Sequence, residues 1–496
     1  MFPTMHKILL QVLAFPLFLI FGPIFRIWRY ISLESEFWLE TSLKRHEEEV
    51  AKIVEQVKVW IKSGRGTKMT TARPGWKSIS VTKTDKSKYF QVHVGLDRII
   101  LLGEKEESIT VEPGVMIGQL SRYLFKRGWT TPIVPELDSL SIGGLICGVG
   151  IESSSHKRGL FHETVLSYEI VLADGSVVKC SEDKESDLFH VIPGSFATIG
   201  FLTAVTIPLI PAKRFVKLNY RPTSSIAGLN SLLKSEPNHD FVEGLAFSKN
   251  EIAVMFGDMV DTVAPGKSVN YINRWYKPFF HDHAHSILKK GHDSFVEYVP
   301  LIDYYHRHSK GIFWVIPGTT SFTSYSAFMF FFGWTLTPHI PSQRLLPVTL
   351  WKFFSSGNVV QDYILPMKNA QKFFDKADGI LKIYPVWLCP VELKKNKTMF
   401  RSQGDGDYLD IGYYGHPAAA NFHPVGTLQD LEKECIANDG FQLLYAESFM
   451  SREQFRDMFD TTTYDKVRES YECSAAFPDV YDKVGPKARN FLTSKD

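Results

Sequence analysis

The sequence predicts an α+β protein with two folded domains behind one N-terminal transmembrane helix, and three observations predict it. Residues 8–24 form an apolar run broken only by Gln11, Pro16, Gly22 and Pro23. Residues 67–211 alternate strand-like and helix-like segments separated by glycine turns. From residue 212 onward, strand-like runs such as 215–220 and 252–259 mix with helix-like stretches, with no internal repeat and no low-complexity segment. A chain of 496 residues is also longer than one typical domain.

The N-terminal run is close to the shortest apolar length that spans a bilayer, about 17 residues. A cleaved signal peptide would have a shorter apolar core and end in small residues. Here Arg26, Trp28, Arg29 and Tyr30 follow instead, a set suited to the membrane–water interface. Arg26 and Arg29 against the single Lys7 favour a cytoplasmic body. The expected anchor covers residues 1–30. A linker follows over 31–66, where Leu43, Val50, Ile53, Val54, Val57 and Ile61 recur with helical spacing and Ser63-Gly64 ends the helix.

Within 67–211 the most informative stretch is Ser141-Ile142-Gly143-Gly144-Leu145-Ile146-Cys147-Gly148-Val149-Gly150-Ile151-Glu152-Ser153. Glycine lets a backbone approach a ligand closely, and successive N–H groups in such a turn can hold phosphate oxygens. The alternative is a plain buried turn. The run does not fit G-x-G-x-x-G, because Ser153 stands where the third glycine belongs. Downstream, residues 170–178 read as two strands joined by Asp174-Gly175, a hairpin signal. Residues 194–203 repeat the glycine-plus-apolar texture, and Pro208 and Pro211 mark the exit from the domain. The remainder, 212–496, is expected to form the second domain.

Composition narrows the function. A net charge of +2 gives no reason to expect nucleic acid. Five scattered cysteines form no C-x-x-C pair, so neither a disulfide framework nor a metal site is indicated. An aromatic share of 14% fits a large apolar ligand or a membrane surface.

Taken in order, Pro113-Gly114, Ser141-Ile142-Gly143-Gly144, Arg158-Gly159, Val171-Leu172-Ala173-Asp174-Gly175 and Gly200-Phe201-Leu202-Thr203 resemble the FAD-binding domain of the vanillyl-alcohol-oxidase, or PCMH-type, flavoproteins. Arg73-Pro74-Gly75-Trp76, Pro135-Glu136-Leu137-Asp138, Glu152-Ser153-Ser154-Ser155-His156-Lys157, Tyr304-Tyr305-His306-Arg307-His308, Val360-Gln361-Asp362 and Trp387-Leu388-Cys389-Pro390 are similar to the delta(24)-sterol reductase (diminuto/Dwarf1-like) family. This second resemblance covers nearly the whole chain.

The resemblance implies a two-subdomain PCMH-type FAD-binding domain and an α+β substrate (cap) domain, with a return of the chain to the first domain near the C-terminus left open. It implies reduction of a sterol side-chain Δ24 double bond with FAD and NADPH, at the endoplasmic reticulum membrane. Residues 141–153 would hold the pyrophosphate, joined by Arg73 and, beside the flavin or adenine, by Ile199 and Gly200. The first loop carries no histidine or cysteine, so FAD is expected to be bound non-covalently. Reduction of an isolated alkene needs an acid, a hydride donor and a dry aromatic wall. Tyr304, Tyr305 and His306 are the candidate acids, with polar packing or phosphate contact as the alternatives. Asp410 in an alternating strand and the aromatic run Phe330, Phe331, Phe332 and Trp334 are further candidates, the latter for sterol or membrane contact. An FAD-linked oxidase of a soluble alcohol or lactone and a non-catalytic sterol-binding scaffold are the competing functions. The oligomeric state is not legible.

Overall fold

The computed structural model describes residues 43–73, 86–102, 107–335, 357–400, 406–419 and 421–486, together with Pro23, Ile24, Ile27 and Ile31. The predicted anchor lies outside the described residues except for Pro23, Ile24 and Ile27. Among the described residues, no helix is long and apolar enough to cross a membrane. Pro74, Gly75 and Trp76 of the first-loop motif also fall outside them.

The amphipathic segment forms helix α1 (Leu43–Lys62). Val50, Ile53, Val57 and Trp60 line its buried face, whereas Leu43 is exposed. The helix packs on the first sheet rather than bridging solvent. His46 reaches Glu112 through Nδ1 at 2.8 Å and Glu169 through Nε2 at 3.0 Å. A short parallel pair, Met69–Thr71 with Phe90–Val92, follows.

The first large sheet has five strands: β1 (Ile99–Leu102), β2 (Ser108–Val111), β3 (Ser167–Val171), β4 (Val177–Ser181) and β5 (Phe201–Pro208). Their order is β1-β2-β5-β3-β4. The hairpin read from Asp174-Gly175 joins β3 to β4, with Val171 opposite Val177 and Gly175 at φ +85°. Helix α2 (Ile117–Phe125) and the seven-residue helix α3 (Ile142–Gly148) lie between β2 and β3 in sequence.

The second sheet has eight strands: β6 (Phe215–Thr223), β7 (Phe241–Ser248), β8 (Glu251–Val260), β9 (Phe295–Pro300), β10 (Val359–Pro366), β11 (Val386–Leu393), β12 (Gly406–Gly415) and β13 (Phe441–Gln442). They run in the order β9-β6-β8-β7-β11-β12-β10-β13, and the pairings are antiparallel. Alternation gives this sheet two different faces. One carries Tyr363, which packs its ring 5.0 Å from Phe373 of helix α4 (Met367–Leu381). The other carries Glu243, Trp387, Cys389, Asp362, Asp410 and Tyr414 and turns toward the first domain.

The C-terminal helices, α5 (Thr462–Ser470) and α6 (Val480–Val484), pack back against the first unit. Tyr464 Oη meets Thr198 Oγ1 at 2.6 Å, Arg468 donates to the Thr198 carbonyl at 2.5 Å, and the Phe477 ring lies 5.4 Å from Phe201.

Candidate functional site

The glycine run folds as a capped helix rather than an open nest. Ser141 is the N-cap of α3, its Oγ accepting from Gly144 N–H. The N–H groups of Ile142 and Gly143 donate to the carbonyls of Val115 and Pro113 at 2.9 and 2.8 Å. The amides of Ile142 and Gly143, at the start of α3, are therefore paired with the neighbouring turn. Gly143 is required for this docking, since a Cβ there would sit 2.6 Å from the Pro113 side chain.

Positive charge gathers at the same place. Arg73 donates from Nη1 to Ser141 Oγ at 3.0 Å. Lys86 donates to the carbonyls of Thr71 and Arg73, each at 2.7 Å. Lys483, on α6, donates to the Phe196 carbonyl, and Phe196 N–H donates to the Cys147 carbonyl at the end of α3. Burial, then repulsion by Arg73, lowers the pKa of Lys86. Burial also brings Lys483 down to about 8, opposed by the Cys147 thiol and reinforced by Lys86. Three cations beside one another suit a diphosphate. The backbone is strained here too. Val149 sits at φ +72°, with Phe196 at +51° and Ala197 at +56°, conformations that non-glycine residues adopt at a cost and chiefly at functional sites. The donor set, Arg73, Lys86 and Lys483, thus fits a diphosphate such as that of FAD.

Ile199 and Gly200 belong to the core. Ile199 is fully buried, and its carbonyl takes the Cys473 thiol at 3.4 Å. A Cβ on Gly200 would meet the Val171 carbonyl at 2.5 Å, so the glycine serves strand packing.

The far end of the glycine run meets the second domain. Glu152 is buried and its Oε1 accepts from Ser153 N–H at 2.7 Å and from Arg307 Nη2 at 2.6 Å. Arg307 also donates through Nε and Nη2 to Glu243 at 2.6 and 2.7 Å. Trp387 Nε1 donates to Glu243 at 2.9 Å. Burial would raise the Glu243 pKa, but Arg307 and His308 overcome it and hold the group ionised. Tyr304, Tyr305 and His306 are the struts around this ion network. Tyr304 Oη donates to Ser153 Oγ at 3.3 Å, and its ring lies 4.3 Å from the Arg307 guanidinium. Tyr305 Oη meets Thr130 Oγ1 at 3.0 Å. His306 Nε2 meets Ser121 Oγ at 2.8 Å, with Nδ1 3.3 Å from the Glu136 carbonyl. Burial pushes both phenols well above their ordinary pKa. Their polar atoms are committed to joining the domains, which is a poor arrangement for the expected acids.

Acid groups that face the domain junction lie on the sheet instead. Asp362 accepts from the hydroxyls of Tyr414 and Tyr445. Gly412 opposite it leaves the room for this, because a Cβ would meet both the Tyr414 hydroxyl and Asp362 Oδ1. One residue pair along the strand, Asp410 lies between Ile364 and Cys389. It is fully buried, and neither carboxyl oxygen has a hydrogen-bond partner. Burial raises its pKa well above the carboxylate range, and the charges of Asp362 and Glu136 raise it further. Glu136, from the first domain, is raised by burial and by Glu152. Aromatic rings close the same region. Phe313 lies 4.3 Å from Tyr414 and 5.4 Å from Trp387, and Trp314 lies 5.6 Å from Tyr414. Phe330 and Phe331 lie elsewhere, on the surface, 65% and 64% exposed.

Sequence reasoning missed Lys86, Lys483, Tyr414, Tyr445 and the Phe313-Trp314 pair. The lysines are remote in sequence from the glycine run and from each other. Asp362 and Glu136 stood inside quoted motifs, and the alternation around Asp410 was visible.

A sheet unit with a cationic diphosphate site, closed by a second sheet that lines the junction with acids and aromatic rings, defines an FAD-binding flavoprotein of the PCMH type. A family model described as an FAD binding domain matches residues 45–181, beginning inside α1. The chain is 40% identical to the Delta(24)-sterol reductase of Homo sapiens, over 94% of this chain and 92% of that protein. It is 38% identical to the Delta(24)-sterol reductase homolog of Caenorhabditis elegans, over 88% and 87%, and 35% identical to the Delta(24)-sterol reductase of Pisum sativum, over 90% and 85%. The chain belongs to the delta(24)-sterol reductase family.

Proposed function

We propose that this chain reduces the Δ24 side-chain double bond of a sterol, with FAD held non-covalently and NADPH as the source of electrons. The observation that carries the reading is 40% identity to Delta(24)-sterol reductases through both sheets, not through the FAD-binding part alone. When bound, FAD supplies hydride transfer. The protein supplies the rest. Arg73, Lys86 and Lys483 hold the diphosphate, and the Arg307 network with Glu152 and Glu243 fixes the two domains against each other. An isolated alkene has no carbonyl to stabilise negative charge, so proton addition at C24 accompanies hydride addition at C25. Positive charge then develops at the tertiary C25, which ring faces such as Phe313 and Tyr414 favour. The buried, aromatic junction excludes water that would intercept that centre.

The apolar run at 8–24 and the exposed Phe330 and Phe331 support a body tethered at a membrane, where a sterol resides. The family resemblance points to the endoplasmic reticulum, with the body on the cytoplasmic side. The test is conversion by full-length protein of a Δ24 sterol with NADPH, read by mass spectrometry. The expected product carries two added hydrogens in the side chain. Unchanged sterol, with NADPH consumed only by reaction of the flavin with oxygen, would overturn the proposal in favour of an oxidase.

A further inference from the structure

We infer that Asp410 is the proton donor of the reaction, with Asp362 as the fixed anion beside it. The inference rests on the reductase reading above and assigns the acid that this reading requires.

Among the described residues, Asp410 is the buried carboxyl group with neither oxygen hydrogen-bonded. Leaving such a group unsatisfied is costly, and a site that retains one has a use for it. Three neighbouring acids are committed. Asp362 accepts two tyrosine hydroxyls. Glu243 is held by Arg307 and Trp387, and Glu152 by Arg307 and the Ser153 amide. Asp410 shares its sheet face with Asp362 and Cys389 and interacts electrostatically with Glu136 from the other domain. It therefore looks into the junction where both domains meet.

The two aspartates are driven apart in the way that acid–base pairs require. Two phenolic hydroxyls favour the charged form of Asp362, and burial brings its pKa to about 6 against them. No side chain donates to Asp410; burial and two adjacent acids raise its pKa well above the carboxylate range, opposed only by the neighbouring Ile411 amide. In the reaction, the alkene π electrons form a C–H bond at C24 with the Asp410 proton. The O–H bond breaks and leaves the Asp410 carboxylate. Reduced FAD, when bound, would supply the hydride for C25, so the alkene would gain one proton and one hydride. The charge of Asp362, which acts on Asp410, would favour the transient positive charge, and the Asp410 carboxylate would regain its proton from solvent.

The experiment uses full-length holoprotein and Asp410→Asn, which keeps shape and removes the proton. Infrared difference spectroscopy of the oxidised, substrate-free protein should show a protonated carboxylic acid that Asp410→Asn lacks. FAD affinity, read by fluorescence, should be unchanged, while reoxidation of the reduced protein by a Δ24 sterol should slow at least ~100-fold, the usual span for a general acid. Asp410→Glu should recover part of the rate. Wild-type turnover together with full-speed Asp410→Asn, or a variant spectrum that loses no protonated-carboxyl band relative to wild type, would overturn the assignment. An inactive wild type would instead refute the reductase reading itself.

Discussion

Arg307 shows how one residue ties two domains. Its guanidinium is fully buried between Glu152 of the first domain and Glu243 of the second sheet. A buried ion network contributes little over an apolar replacement, but removing one partner leaves unpaired charge inside. Arg307→Leu strands two carboxylates, so it is expected to cost about 3–5 kcal/mol. Thermal unfolding measures this, and an unchanged midpoint would show that the carboxylates find other partners. The Tyr-Tyr-His-Arg-His cluster was conspicuous in the sequence because those residue types do chemistry. Nothing in the sequence shows that Ser153, Thr130 and Ser121 occupy their polar atoms. Asp410 was visible only as a polar residue in an alternating strand; its lack of a partner is a fact of tertiary structure.

Helix α1 and the C-terminal helices carry testable electrostatics. Burial alone would lower the pKa of His46, but hydrogen bonds and charges from Glu112 and Glu169 override it and raise it to about 9. The folded value exceeds the unfolded value of about 6.5. Stability from this contact is therefore full below about pH 6.5 and is lost as pH rises toward about 9. Urea midpoints should fall across that window in the wild type and less steeply in His46→Gln; parallel slopes would remove His46 from the account. The amphipathic period of α1 was legible, whereas its ion pairs with residues 66 and 123 positions away were not. Lys483 on α6 reaches the first domain at Phe196. Lys483→Gln should weaken FAD binding roughly tenfold, the loss of one charge-assisted hydrogen bond of about 1.5 kcal/mol. Titration of apoprotein with FAD checks it, and wild-type affinity would move the lysine out of the diphosphate site.

For the whole molecule, the α+β class and the flavin-binding unit were legible because glycine turns and the Asp174-Gly175 hairpin are local signals. The second sheet was legible only as mixed strands. Its order interleaves strands far apart in sequence, with β7 pairing β11 across more than a hundred residues, and no local pattern encodes that. The same topology builds the junction, since it sets β10, β11 and β12 side by side and aligns Asp362, Cys389 and Asp410 on one face. The cationic site likewise needs the C-terminal helix to return. Whether this junction passes electrons from NADPH through FAD to a sterol alkene is read by anaerobic mixing in a stopped-flow spectrometer. NADPH should bleach the bound flavin, and a Δ24 sterol should then restore the oxidised spectrum in step with formation of the reduced side chain. A flavin that stays bleached with every Δ24 sterol and reoxidises only when oxygen is admitted would contradict the account.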